Sequence, residues 1–128
     1  MRNYRELEVW EKSHKLTVDL YRLSRAFPKE ELYGLTSQLR RAAVSIGANL
    51  AEGCGRRTGA ELARFVRIAM GSASELDCHL LLCRELELIT IAKYERQSKE
   101  LIRVRKMLCG LLTSIENQIE VKASAARA

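Results

Sequence analysis

The sequence is poor in residues that end helices and in those that form common catalytic or metal sites. One proline and seven glycines in 128 residues leave few positions at which a helix has to stop. Only two histidines are present, and no C-x-x-C spacing occurs among the four cysteines, so zinc and redox patterns are missing. No apolar run approaches the roughly 20 residues that a membrane span needs. The first ten residues contain no apolar signal core. We therefore expect a cytoplasmic protein without a membrane segment, metal or other cofactor.

The composition is that of one soluble globular domain with an excess of positive charge. Hydrophobic residues make up 47% of the chain and charged residues 30%, which excludes a disordered polar chain. Lysine and arginine number 22 against 16 acidic residues, so the net charge is +6. A moderately basic balance of this kind favours an acidic partner such as nucleic acid.

Apolar residues recur every three or four positions along four segments, which is the spacing of one buried helix face. A first helix is predicted over residues 7–27, ending at Pro28. Thr36 or Ser37 is expected to cap the second helix. The capping box Thr58–Glu61 predicts the start of a third helix, which is expected to end near residue 87 or 88. Thr90 is expected to cap a fourth helix. The pattern predicts an all-α, antiparallel up-down-up-down four-helix bundle over residues 1–121, followed by a flexible tail at 122–128.

The second helix is rich in small residues, which lets a neighbouring helix approach closely. Gly53 and Gly55 are expected to supply the left-handed backbone conformation that ends this helix. The third helix is apolar on more than one side, at residues 80–83 and at Val66 and Met70. This predicts self-association through the third helix. The alternative is that the third helix is central within one bundle.

Polar residues form a ladder along the faces of the second and third helices. The positions, at helical spacing, are Arg41, Ser45, Asn49 and Glu52, and then Ser72, Glu75 and His79. We interpret them as a structural hydrogen-bonded network. A ligand or active site is the alternative. The single Glu-x-x-His pair, Glu11–His14, is too little for a di-iron bundle site, and no G-x-S-x-G elbow is present. No enzymatic activity is predicted.

The four cysteines are interpreted chiefly as small reduced core residues, because three of them lie among apolar residues at helical spacing.

Arginines cluster around the junction of the second and third helices. Six arginines and only two acidic residues lie between positions 40 and 67. Arginines beside the free N–H groups of a helix start suit a phosphate group. The predicted nucleic-acid-binding residues are Arg40, Arg56, Arg57 and Arg64, with a second stripe on the fourth helix formed by Arg96, Lys99, Arg103 and Lys106. A solvated charged face is the alternative for that stripe.

Three stretches resemble a known family. They are Val9-Trp10 with Phe27-Pro28-Lys29-Glu30-Glu31, then residues 35–42 with Ser45, Asn49 and residues 51–53, and finally residues 71–76. The chain resembles the bacterial four-helix-bundle proteins named after the reading frame in intervening sequences of 23S ribosomal RNA. The resemblance implies a ring-shaped homopentamer and a fold similar to the basic accessory bundle that works beside the reverse transcriptase of diversity-generating retroelements. It implies no catalytic residues. It marks Arg41, Ser45, Asn49, Glu52, Ser72 and Glu75 as motif positions.

These patterns together predict a non-enzymatic, oligomeric bundle that binds RNA or DNA phosphates through its arginines. A protein-interaction scaffold with no nucleic-acid role is the alternative.

Overall fold

The computed structural model describes residues 2–128 and contains four helices and no strand within that range. The helices are α1 (Glu8–Ser24), α2 (Leu35–Cys54), α3 (Gly59–Glu85) and α4 (Ile91–Arg127). Two short 3-10 helices, Tyr4–Glu6 and Lys29–Glu31, precede α1 and α2. Each helix packs against its neighbours in the chain, and α1 also packs against α4. The predicted all-α four-helix bundle is confirmed.

One apolar core runs through all four helices. Its largest fully buried side chains include Leu20 on α1, Leu50 on α2, Leu76 on α3 and Leu108 on α4. Burial of such side chains contributes about 1.5–3 kcal/mol each, which makes the period of three and four residues the main determinant of the fold. No helix formed by residues 2–128 combines the length and hydrophobicity required to cross a bilayer.

Helices α2 and α3 approach each other closely near the C-terminal end of α2. A Cβ atom added to Gly53 would lie 2.9 Å from Cβ of Phe65. Gly53 is therefore needed for close packing and not for an unusual backbone conformation. The expectation of left-handed glycines here is wrong, since neither Gly53 nor Gly55 has a positive φ and Gly55 has a φ of −81°.

Three helix ends differ from the predicted positions. Helix α1 ends at Ser24 because the following turn tightens, with the Phe27 N–H donating to the Ser24 carbonyl at 3.1 Å. Helix α2 begins after Gly34 without a side-chain cap, and Thr36 is buried, so the predicted capping role of Thr36 or Ser37 is wrong. Helix α3 ends at Glu85 because Glu87 adopts a left-handed φ of 60°.

The fourth helix continues beyond the predicted domain boundary at residue 121. It runs without a break to Arg127, and most of residues 122–128 are exposed. The predicted boundary is therefore not a helix end. The chain is helical there because Ala, Lys and Arg are good helix formers. Flexibility of residues 122–128 remains a prediction, since few contacts anchor them to the bundle.

The α3 residues on which the predicted self-association rests divide into buried and exposed positions, with Met70 half-buried. Val66, Leu80 and Cys83 are buried inside the bundle. Leu81 and Leu82 remain 40% and 42% exposed. The central position of α3 between α2 and α4 therefore accounts for the buried group, whereas Leu81 and Leu82, like Ile68 at 40% exposed, are left available to another molecule.

Candidate nucleic-acid interface

The junction of α2 and α3 presents arginines at one end of the bundle. Helix α2 ends at Cys54, and the Thr58 hydroxyl caps α3 by accepting a hydrogen bond from the Glu61 N–H at 3.1 Å. This part of the predicted capping box is confirmed. The Glu61 carboxylate accepts a hydrogen bond from the Thr58 hydroxyl at 3.3 Å. The other N–H groups in the first turn of α3 have no acceptor within the helix.

Two of the predicted arginines are held in place by an aromatic ring. The guanidinium carbons of Arg56 and Arg64 lie 5.0 and 5.1 Å from the centre of the Phe65 ring. Arg56 also forms an ion pair with Glu52 at 2.6 Å. Cation–π contacts of this kind restrict the guanidinium groups while leaving their N–H donors available for a ligand.

Among the predicted arginines at the junction of α2 and α3, Arg57 is the least restrained by contacts. Its side chain forms no ion pair with any residue in the range 2–128 and lies exposed between α2 and α3. It lines a cavity of about 190 Å³ at the end of the bundle, which we call the basic concavity. Four cationic residues line this cavity and no acidic residue does: Arg2, Arg56, Arg57 and Lys122.

Two of these four cations, Arg2 and Lys122, are not among the residues predicted to bind nucleic acid. Arg2 reaches the concavity because its N–H donates to the Cys54 carbonyl at 3.0 Å, and its side chain donates to Gln118 at 3.4 Å. Lys122 arrives from the far end of α4, in the segment that the sequence assigned to a tail. No local pattern could have placed either residue beside Arg57, because more than 50 positions separate each of them from it along the chain.

Arg40 does not lie with the other predicted arginines. Its Nε donates to the Ser24 hydroxyl at 2.8 Å, and its guanidinium carbon lies 4.8 Å from the centre of the Tyr21 ring. It also donates to the Tyr21 carbonyl at 3.3 Å near the end of α1. Arg40 lies 14 residues before Cys54, the last residue of α2, which is about 21 Å along the helix axis. Arg40 thus joins α1 to α2 at the opposite end of the bundle.

The predicted stripe on α4 is exposed along its whole length. It consists of Arg96, Lys99, Arg103 and Lys106, which are all classed as exposed. Only Arg103 has an ion-pair partner within residues 2–128, the Glu100 carboxylate at 3.6 Å. Arg96 and Arg103 also line a separate cavity between α1 and α4.

The polar ladder divides into a partly buried centre and exposed margins. The Ser45 and Ser72 hydroxyls lie 2.8 Å apart, and Asn49 donates to the Ser45 hydroxyl at 2.9 Å. These three residues link α2 to α3. The remaining motif positions face outwards: Glu52 pairs with Arg56, Glu75 lies 3.2 Å from His79, and Arg41 is exposed.

The cysteines offer no reactive thiol in the core and no metal site. Cys54 and Cys83 are buried, whereas Cys78 and Cys109 are exposed, so two cysteines and not three belong to the core. Burial raises the pKa of Cys54, opposed by the positive charge of Arg2. Burial, reinforced by the charge of Glu31, raises the pKa of Cys83 to about 11. No group of three or more potential ligands among His, Cys, Asp and Glu is brought together within residues 2–128.

Comparison with known proteins identifies the family. Residues 5–110 match the family model described as 23S rRNA-intervening sequence protein. The chain belongs to this family. The resemblance drawn from the sequence motifs is confirmed. A search of curated proteins found no match.

A solved structure shares the fold of this chain. It is the crystal structure of a protein with unknown function from the S23 ribosomal protein family of Bacteroides thetaiotaomicron VPI-5482. The two sequences are 26% identical, and the structures align with a TM-score of 0.76. The match covers 82% of this chain and 95% of the other. Since that protein has no stated function, a functional assignment must come from the side chains described above.

Proposed function

We propose that this protein is a non-enzymatic, oligomeric four-helix bundle that binds nucleic-acid phosphates at the basic concavity. The observation that carries the proposal is the convergence of Arg2, Arg56, Arg57 and Lys122 on one cavity without an acidic residue in its lining. Arg56 is paired with Glu52, whereas Arg2, Arg57 and Lys122 have no acidic partner within residues 2–128. Cations in a concave site attract phosphate oxygens more strongly than the same charges on a convex surface. Arginine also binds phosphate with two parallel hydrogen bonds.

The surrounding residues suit binding to the nucleic-acid backbone rather than to base edges. Arg64 adds a further cation beside Phe65, and the open first turn of α3 adds N–H donors. The α4 stripe is a second positive surface, separate from the concavity, since its nearest member, Lys106, lies 16 residues before Lys122 on the same helix, about 24 Å along the axis. Contacts of this type hold phosphates without reading sequence, so binding should be strongly salt-dependent and nearly independent of base sequence. We leave Arg40 out of the proposed interface because its guanidinium group already joins α1 to α2.

Self-association would multiply this surface. Leu81, Leu82 and Ile68 on α3 each remain at least 40% exposed, which supports a contact with another subunit. The family resemblance favours a homopentamer. Because the affinity for a long nucleic acid grows with the number of phosphates neutralised, a ring would bind more tightly than one bundle.

The test removes Arg56 and Arg57 together and measures retention of labelled RNA and DNA at low salt. The variant Arg56→Ala/Arg57→Ala should bind at least about tenfold more weakly than wild type, since two phosphate contacts are lost. The matched control is Arg22→Ala/Arg25→Ala, which removes the same charge from the opposite end of the bundle. Equal losses in the two variants would mean that only net charge matters, and the concavity would not be the binding site.

The alternative function is a protein-interaction scaffold that uses the exposed apolar residues of α3. It predicts that wild-type protein retains neither RNA nor DNA at low salt, and that the arginine variant captures its protein partner as well as wild type does. Nucleic-acid retention that is lost on mutation of Arg56 and Arg57 and kept in the control supports the first function.

A further inference from the structure

The basic concavity is too small to enclose a nucleotide. Its volume of about 190 Å³ lies below the roughly 300 Å³ at which pockets for small organic molecules begin. The concavity therefore has room for a compact anionic group, while the sugar and base attached to that group lie outside. A phosphate is the group of this kind that nucleic acids carry.

The walls of the concavity strengthen its attraction for charge. Leu62, Ile115 and Ile119 form an apolar part of the lining. Gly59, the first residue of α3, packs directly on α4, since a Cβ atom added to it would lie 3.2 Å from Cγ1 of Ile119. Gly59 also lines the cavity, and its N–H has no acceptor within the helix. Charges beside apolar walls are screened less than charges surrounded by water, so the cations act more strongly here.

The positive charge in the concavity exceeds the charge of one phosphate inside a nucleic-acid strand. Arg56 is balanced by Glu52, and Glu61 accepts a hydrogen bond from the lining residue Thr58 without itself lining the cavity. Three cations of the lining have no acidic partner within residues 2–128: Arg2, Arg57 and Lys122. A phosphodiester carries a single negative charge. A terminal phosphomonoester carries about −1.5 to −2 at pH 7 and has three acceptor oxygens, so it balances the unpaired cations better.

We propose that the basic concavity binds the terminal phosphate of a nucleic-acid strand in preference to a phosphate inside the strand. Arg57 provides the two parallel hydrogen bonds that arginine makes to phosphate, and Arg2 and Lys122 balance the additional charge. Arg64, exposed beside Phe65, is available to a following phosphate of the same strand, which favours nucleic acid over a phosphorylated protein. This inference rests on the proposed function, because it uses the same site. It adds which phosphate the site selects.

The first test uses the wild-type protein and one short, internally labelled single-stranded RNA with a 5′-phosphate, with a 3′-phosphate, or with neither. Fluorescence anisotropy at constant salt should give a dissociation constant about tenfold lower for at least one phosphorylated form than for the unphosphorylated RNA, the order expected from one charge-assisted hydrogen bond. The methyl ester of the preferred terminal phosphate keeps the group and removes one charge, so its advantage should fall below about threefold.

The outcomes separate this inference from the proposed function. Equal affinity for all forms of the RNA, or a methyl ester that binds as tightly as the free phosphate, would overturn the inference and leave the proposed function intact. Absence of binding to every form would overturn the proposed function itself. Displacement of the phosphorylated RNA by a phosphoserine peptide as readily as by unlabelled phosphorylated RNA would overturn the assignment of the site to nucleic acid.

The second test assigns the preference to the concavity. Arg57 is exposed and forms no ion pair within residues 2–128, so its replacement leaves the packing of the bundle unchanged. In Arg57→Ala the advantage of the phosphorylated RNA over the unphosphorylated RNA should fall below about threefold. Arg22→Ala, which removes the same charge from the opposite end of the bundle, is the matched control and should keep the full advantage. Retention of the full advantage in Arg57→Ala would contradict the inference.

Discussion

Replacement of Gly53 by alanine should destabilise the bundle, although alanine favours helices. The added Cβ would lie 2.9 Å from Cβ of Phe65 and 3.0 Å from Cδ1 of Leu62. Ordinary contact begins near 3.4 Å, so the first separation is about 0.5 Å too short. Leu62 can rotate its methyl group away. The Cβ of Phe65 is fixed to the α3 backbone, so the two helices themselves must separate.

The expected loss follows from two opposing contributions. Overpacking of a close contact costs about 1–3 kcal/mol of the free energy of unfolding. Alanine returns up to about 1 kcal/mol through its higher helix propensity, and less near a helix end. The net change for Gly53→Ala is therefore a loss of about 1–2 kcal/mol, which lowers the urea midpoint by roughly 0.5–1 M.

Two other glycines provide matched controls within helices. A Cβ at Gly71 or at Gly110 would meet no atom within 4 Å. Gly71→Ala and Gly110→Ala should each raise the free energy of unfolding by up to about 1 kcal/mol. Urea unfolding of the three variants and wild type, followed by circular dichroism at one low protein concentration, measures all four. Gly53→Ala as stable as the controls would refute the close approach of α2 and α3.

Two further predictions concern a helix cap and a buried thiol. Thr58→Ala removes the hydroxyl that accepts a hydrogen bond from the Glu61 N–H, so the free energy of unfolding should fall by about 1 kcal/mol. Thr113→Ala, at an exposed position of α4, is the control. Equal losses of stability in the two variants would contradict the capping role. Burial raises the pKa of Cys83 from about 9 in the unfolded chain to about 11 in the folded protein. The free energy of unfolding should therefore be unaffected by this thiol below pH 9 and should decline between pH 9 and 11, because only the unfolded thiol loses its proton in that range. Urea midpoints across this pH range, compared between wild type and Cys83→Ala, measure the effect, and an equally steep alkaline decline in both proteins would contradict it.

The sequence was sufficient for the fold because the repeat of apolar residues is a local property. Four segments with one buried face each leave few arrangements other than a bundle. The helix ends were less well predicted, because they depend on the geometry of single turns. Thr36 shows this: it has the chemistry of a helix cap, but its position buries it in the first turn of α2.

The candidate site could be predicted only where its residues are neighbours in the sequence. Arg56, Arg57 and Arg64 lie around one helix junction, and the structure keeps them together. Arg2 and Lys122 come from opposite ends of the chain and meet only in the folded bundle. Arg40 precedes the junction of α2 and α3 in the sequence, whereas the length of α2 places it at the other end of the bundle.

Gln97 shows a different limit of sequence-based prediction. A single glutamine among charged neighbours gives no sign that its Oε1 atom will be buried without a hydrogen-bond donor among residues 2–128. Only the packing of α4 into the bundle buries this acceptor.

The most direct test of the central claim, that the basic concavity holds nucleic-acid phosphates, is the slope of log affinity against log salt concentration. Wild type and Lys122→Ala should be titrated with single-stranded RNA between about 50 and 200 mM salt, the range in which phosphate contacts strongly affect affinity. Loss of one phosphate contact should reduce the magnitude of the slope by about 0.7. Arg22→Ala, which removes one charge from the opposite end of the bundle, should leave the slope unchanged. A wild-type affinity that does not vary with salt, or identical slopes for wild type and Lys122→Ala, would contradict the account.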